Sequence, residues 1–447
     1  MLKRRTPRAF KDIADIVVVG GGTAGLAAAH HLTAAGLTVV LLEAADDIGG
    51  RMTTERRDGF RLDRSGPLSL TGSPALRRLP RPLPLRPLTG GVLLCGPDAA
   101  RRIGGSAGRR PRHEGEPAGS PPGGRPPGAP DEPAADRDGP AFDRVWLKAN
   151  LARLGRSPGT RPRGLAEPTA AGALSTRGIP PRIAESSLRP LLSTLLHDPD
   201  LATSSRLGDL ALRAFARHGL GLPAGGAAAL PGLLAACLPP GAVRTGVRVE
   251  SVSTTEVTTR AHGTFACRGV VVATGAAEAA RLLPGLRVPA FRPVTVLHHA
   301  APDGVRSGAT LVVEAGGRGP VAHSLAASAA DPSRAPEGRT LVTSVVLGHR
   351  AAEPAELLDK AARPQLTEMH QAPADDWELL AAHHDPQAVP AVPPPYTGAR
   401  PARLLDGLYV CGDHRDAPGP SGDLASARRA ASAVLADAGL APAAAAG

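Results

Sequence analysis

The residues with the clearest chemical potential are Gly20, Gly22 and Gly25, which occupy the first, third and sixth positions of a GxGxxG pattern. The pattern lies between an apolar run, DIVVVG, and a helical stretch, TAGLAAAHHLTAAG. Each glycine has a mechanical task there. Gly20 permits a tight turn, Gly22 lets backbone approach a pyrophosphate, and Gly25 lets helix and strand pack closely. The amides of Thr23, Ala24 and Gly25 then begin a helix whose positive end favours phosphate. Glu43, with Ala44 beside it, stands about 20 residues on, at the end of the next apolar run, LTVVLLE. A carboxylate at that point accepts hydrogen bonds from both hydroxyls of an adenosine ribose and repels a phosphate.

These residues need a β-α-β unit to position them, and residues 15 to 43 read as one. Beyond it, GFRLD reads as a short strand, and residues 83 to 104 as loop and hairpin, turning at Gly96-Pro97-Asp98. Residues 105 to 140 are Gly, Pro, Arg and acid with almost no large apolar side chain, the composition of a disordered linker. Helical spacing runs from about 142 to 218 and again over GGAAALPGLLAACL, followed by the strands VRVESV and VVVATG. PVTVLHHA, ATLVVE, PVAHSLA and TLVTSVVLG, separated by turn residues, suit antiparallel pairing. Pro364 interrupts a helix expected around 354 to 370. GLYVCGD is a buried strand entering a tight turn, SGDLASARRAASAVLADAG a closing helix, and APAAAAG a frayed tail.

Composition narrows the class. A chain of 447 residues exceeds one ordinary core. Aromatic residues make up only 2%, so Ala, Leu and Val must fill the interior. The net charge of +11 comes from scattered arginines; of the 52 basic residues only Lys3, Lys11, Lys148 and Lys360 are lysine. No aromatic interleaving accompanies them, which argues against nucleic acid as a partner. Cys95, Cys237, Cys267 and Cys411 form no CxxC pair, so neither a metal site nor a disulfide framework is expected, and a cytoplasmic setting is the simplest. No run of about 18 apolar residues occurs, which leaves peripheral contact as the only membrane association expected.

The stretch IVVVGGGTAGLAAAHHLTAAGLTVVLLEAADDIGGRMTTERRDGFRLD, ending at Asp63, resembles the amino-terminal signature of the flavin amine oxidase and phytoene desaturase superfamily. Gly49, Gly50 and Arg51 match its Gly-Gly-Arg, which in that family adds amides and a guanidinium to the pyrophosphate of FAD. Residues 408 to 435 resemble its carboxyl-terminal flavin motif. The resemblance implies that Gly412 and Asp413 hold the ribityl chain. It also implies that a helix beginning near Gly422, with Asp423 and Leu424, points its amides at the flavin pyrimidine edge, and that Val249 meets adenine through its backbone. Three departures stand out. Ser65 replaces a glycine, Asp423 replaces a small apolar residue and would oppose an anionic reduced flavin or else cap its helix, and no lysine is placed to reach flavin N5.

The resulting expectation is an α/β protein with a Rossmann-type FAD-binding domain and an interleaved α+β substrate domain. The first is assembled from 13 to 75, 222 to 285 and 395 to 440, the second from 76 to 221 and 286 to 394, with the active site between them. The chemistry expected is transfer of hydride from a C–N or C–C bond of a small molecule to flavin N5, with oxygen or another acceptor reoxidising the flavin. The alternatives are a desaturase of an apolar substrate and a protein that keeps the fold without turnover. Candidate polar residues near the substrate are His298 and His299, only one of which strand alternation turns inward, and His384 with Gln387.

Overall fold

A computed structural model describes residues 14–66, 69–70, 73–96, 100–104, 147, 149–153 and 166–440. The linker expected at 105 to 140, residues 97 and 98 of the expected turn, and the terminal APAAAAG lie outside the described residues.

The runs of Val, Ile and Leu that carry no polar alternation become the strands Ala14–Val19, Val39–Leu42 and Gly263–Val272. Such strands must be covered on both faces, and they form the centre of an eight-stranded sheet in which Ala14–Val19 pairs in parallel with both neighbours. Leu408–Val410 adds a further parallel strand beside Gly263–Val272. Strands Val249–Val252 and Glu256–Thr259 extend that strand's first half as an antiparallel flap. One face is covered by helices Thr23–Ala34 and Pro420–Asp437. They meet through Ala24, Ala27, Ala28, Ala427, Ala430 and Ala431, all buried, so small side chains do here what aromatic rings do in other cores.

A second, seven-stranded sheet is largely antiparallel. Phe291–Pro302 runs between Arg339–Leu347 and Glu378–Pro390, and Val321–Ala326 and Leu311–Glu314 follow beyond Arg339–Leu347. Val92–Cys95 joins in parallel and turns back on Ala100–Ile103, which is the expected hairpin. Helices Ala170–Thr176, Arg189–Leu196 and Ser205–His218 pack over one face. The opposite face is covered by Ala355–His370 through Leu358, Ala362, Leu366 and Met369.

That last helix corrects one expectation, because it runs unbroken through Pro364. Proline removes the bond to the carbonyl four residues earlier, which belongs to exposed Lys360, while the apolar face on either side stays anchored on the sheet. No described helix is long and apolar enough to cross a membrane.

Candidate active site

The glycine turn is built as tightly as its spacing demands. Gly20 has φ +109°, and a Cβ on it would lie 2.9 Å from the Ala273 carbonyl oxygen. A Cβ on Gly25 would lie 1.9 Å from the Gly20 carbonyl oxygen. Gly22 differs: a Cβ there would meet nothing within 4 Å, so its backbone faces open space. Helix Thr23–Ala34 starts there with no side-chain cap and no acidic residue in its first turn, which leaves its positive end to an anion from outside.

Glu43 accepts the Gly21 amide at 2.6 Å and the Ala45 amide at 2.8 Å, and these bonds fix its carboxylate beside the turn. The Gly49 amide donates to the Gly21 carbonyl at 2.9 Å, so the Gly49-Gly50 pair folds against the first turn. The hydroxyls of Thr53 and Thr274 are buried without partners among the described residues, and their methyl groups border Gly49 and Gly20. Open backbone at Gly22, an uncapped helix and orphaned hydroxyls fit a dinucleotide pyrophosphate. Val249 is committed elsewhere in part, since Arg281 donates to its carbonyl at 2.8 Å.

Arg51 joins the two sheets. Its guanidinium pairs with Asp413 at 2.8 Å and donates to the Ala388 carbonyl, on the Glu378–Pro390 strand, at 2.7 Å. The Asp413 amide donates to the Asp423 carboxylate at 2.8 Å, so Asp423 caps the Gly412-Asp413 turn rather than its own helix. That helix begins at Pro420, earlier than Gly422, and the amides of Gly422 and Asp423 donate to the Gly419 carbonyl. Leu424 is buried in the helix core.

Burial and the neighbouring Asp413 carboxylate push the Asp423 carboxyl up to about 7. An unfolded aspartate titrates near 3.9. The folded protein therefore holds a proton there that the unfolded chain releases, and stability falls as pH rises from about 4 through 7. Asp423→Asn, which keeps an acceptor for the Asp413 amide, is expected to remove about 2–4 kcal/mol of that decline. Urea denaturation at pH 5 and pH 8 checks this; equal pH dependence in both proteins would refute it.

Asp63 anchors the approach between the sheets. Its carboxylate accepts the Thr54 hydroxyl, the Ala227 amide and the buried Arg334 guanidinium. Residues 64 to 66 then lead toward the second sheet, where a Cβ on Gly66 would lie 3.1 Å from His197 Nε2. His298 faces this approach and is fully engaged, by the Asp63 carbonyl at 2.9 Å and Thr343 Oγ1 at 3.1 Å. His299 faces the other way and pairs with Asp359 at 2.9 Å. His384 is exposed, with its ring on Thr295, and Gln387 is exposed as well. Strand pairing explains this, because it turns His383, not His384, to the Asp63 side, where its ring lies 5.6 Å from that of His298. Lys360, the only lysine among the described residues whose side chain is placed, is exposed.

Sequence reasoning missed Arg334, His197 and His323. Arg334 sits in a polar turn and looks solvated until Asp63 and Asp331 are brought to it. Alternation along PVAHSLA does assign His323 a face, but the sequence does not say what that face meets.

Comparison with known proteins agrees with this geometry. The model of the flavin containing amine oxidoreductase family matches residues 23–435. Among solved structures, an oxidoreductase from Methanosarcina mazei superposes with a TM-score of 0.70 at 16% identity, covering 92% of this chain and 98% of that one. Putrescine oxidase bound to putrescine gives 0.66 at 16% identity, covering 95% and 99%. Cyclohexylamine oxidase from Brevibacterium oxydans IH-35A gives 0.66 at 16% identity, covering 96% and 100%. At these identities the structures show a shared fold. Among curated protein sequences none matches this chain. With the glycine turn, the Glu43 carboxylate and the Arg51–Asp413 pair in place, the match over most of its length shows that the chain belongs to the flavin-containing amine oxidoreductases, as an FAD-dependent oxidoreductase.

Proposed function

We propose that this protein oxidises a small amine, with the C–H bond next to nitrogen facing the gap between the two sheets. The observation that carries the reading is the polar character of the second sheet's inner face. His298, His323 and His383 lie there among Val296, Thr343 and Val345, whereas a polyene desaturase would need a long apolar lining. The names of putrescine oxidase and cyclohexylamine oxidase, which share the fold, point to the same substrate class.

In this reading the pyrophosphate of FAD lies on Gly22, Thr23, Ala24, Gly25 and Arg51, and its ribose on Glu43. The division into an FAD-binding part and a substrate part follows the two sheets. Bound FAD supplies the hydride acceptor. The chain's own residues orient the substrate, exclude water and hold the second sheet to the nucleotide cleft through Arg51. Since the exposed Lys360 is remote from this face, a buried lysine plays no part among the described residues.

Anaerobic addition of putrescine, cyclohexylamine or a polyene to the FAD-loaded protein tests this. Bleaching of the visible flavin bands by an amine and not by the polyene is the expected result. Bleaching by the polyene alone would establish the desaturase instead, and bands that no compound bleaches would favour a protein that has lost turnover.

A further inference from the structure

The inner face of the second sheet carries a row of register partners across four strands. His323 pairs with Val345, Val345 with Val296, and Val296 with His383. Directly paired residues share a face, so two histidines stand at the ends of an apolar floor, about 14 Å apart at three strand spacings. Residue 66 lies over this row, since a Cβ on Gly66 would come within 4.0 Å of Val345 Cγ2.

His323 is 2% exposed, and neither of its ring nitrogens has a partner among the described residues. A buried polar group left unpaired is costly, and a ligand that supplies the missing hydrogen bond recovers that cost. Its edge contact is the ring of His197, with centroids 6.0 Å apart. His197 sits just past helix Arg189–Leu196 with φ +50°, is half-buried, and makes no side-chain hydrogen bond among the described residues. Its ring is thus held by packing alone and can be displaced. At the other end of the row, His383 Nε2 is buried without a hydrogen-bond partner among the described residues and faces the Glu55 carboxylate at 3.8 Å.

We propose that His323 and His197 are specificity-determining residues that bind an uncharged hydrogen-bonding group of the substrate, which takes the place of their mutual edge contact above Val345. The inference rests on the flavin amine oxidoreductase reading and deepens it. His383 receives a second polar group at the far end of the same floor, so the site fits a small molecule with an apolar middle and a hydrogen-bonding group at each end. Burial pulls His323 down to about 3 and His197 down to about 4, so both rings are neutral at physiological pH. A neutral imidazole offers one donor and one acceptor, which matches a free-base amine or a hydroxyl. A carboxylate offers no donor and finds no positive partner on this pair.

The test uses FAD-loaded protein and follows the flavin difference spectrum during titration with n-hexylamine, 1,6-hexanediol and hexanoate. Wild type is expected to bind the amine and the diol and to discriminate against hexanoate. His323→Leu and His197→Leu are each expected to weaken the first two about tenfold or more, the worth of one hydrogen bond of about 1.4 kcal/mol. The melting temperature of apo His323→Leu is expected to hold or rise, because the substitution removes an unpaired polar group. Should His323→Leu fold poorly, His197→Leu alone decides, since its side chain is half-buried. Unchanged affinity in the variants, tighter binding of hexanoate, or no binding of any probe by flavin-loaded wild type would overturn the proposal. Failure of wild type to take up flavin would instead overturn the reading on which it rests.

Discussion

Gly22→Ala is expected to leave the folded apoprotein almost unchanged and to weaken FAD binding at least about 100-fold, a loss near 2.7 kcal/mol. The added methyl meets no protein atom within 4 Å. Backbone at residue 22, with φ −75° and ψ 179°, suits alanine, so the stability change should stay within about 1 kcal/mol. On the proposed placement of FAD, the methyl occupies the space through which the pyrophosphate reaches the start of helix Thr23–Ala34. Gly25→Ala is the control with the opposite signature. Its methyl would lie 1.9 Å from a backbone oxygen and 3.2 Å from Ala273 Cβ, so helix and strand must separate. A cost of about 3 kcal/mol or more is expected even without cofactor. Thermal melts of both apoproteins, with FAD titrated by fluorescence quenching, separate the two effects. Equal FAD affinity in Gly22→Ala and wild type would remove the pyrophosphate from this turn.

Arg334→Met is expected to destabilise the protein by about 3–5 kcal/mol. Arg334 and Asp63 are each 1% exposed, and their pair, at 2.7 Å, is buried away from solvent. Removing the guanidinium leaves Asp63 charged and buried, and it also strips Pro223 of a donor at 2.9 Å and Asp331 of its ion-pair partner. The network joins strand Phe60–Asp63, residues 223 to 227 and the turn at 331 to 334, three stretches remote in sequence. Arg334→Lys should recover only part of the loss, because one ammonium cannot reproduce the planar fork that reaches Asp63 and Pro223 together. Guanidinium denaturation of the three proteins checks this. A midpoint for Arg334→Met equal to that of wild type would show the pair to be energetically neutral.

Much of the nucleotide half of the molecule can be read locally. A buried strand, a glycine turn, a helix and an acid at the next strand end are adjacent in the chain, and each is required by backbone sterics or helix-end electrostatics that act over a few residues. The Gly49-Gly50-Arg51 and Gly412-Asp413 segments were legible only through the family resemblance, since local sterics alone assign them no ligand. Helix Ala355–His370 was misjudged at Pro364 because proline's local cost is real, yet an apolar face packed on a sheet outweighs one missing hydrogen bond.

The sequence by itself determined the α/β class, the dinucleotide turn and most strands of the second sheet, since periodicity and glycine spacing carry those directly, but not Glu378–Pro390, whose run of polar residues hides it. Tertiary structure alone decided which polar side chains face the gap. Strand register turned His383 inward and left His384 outside, pairing satisfied His298 and sent His299 to Asp359, and long-range packing buried Arg334 against Asp63 and His323 against His197. The physical reason is that a side chain's chemistry here depends on burial and on partners far away in sequence, 271 residues for Arg334 with Asp63 and 337 for Arg51 with Ala388, and no local pattern encodes either.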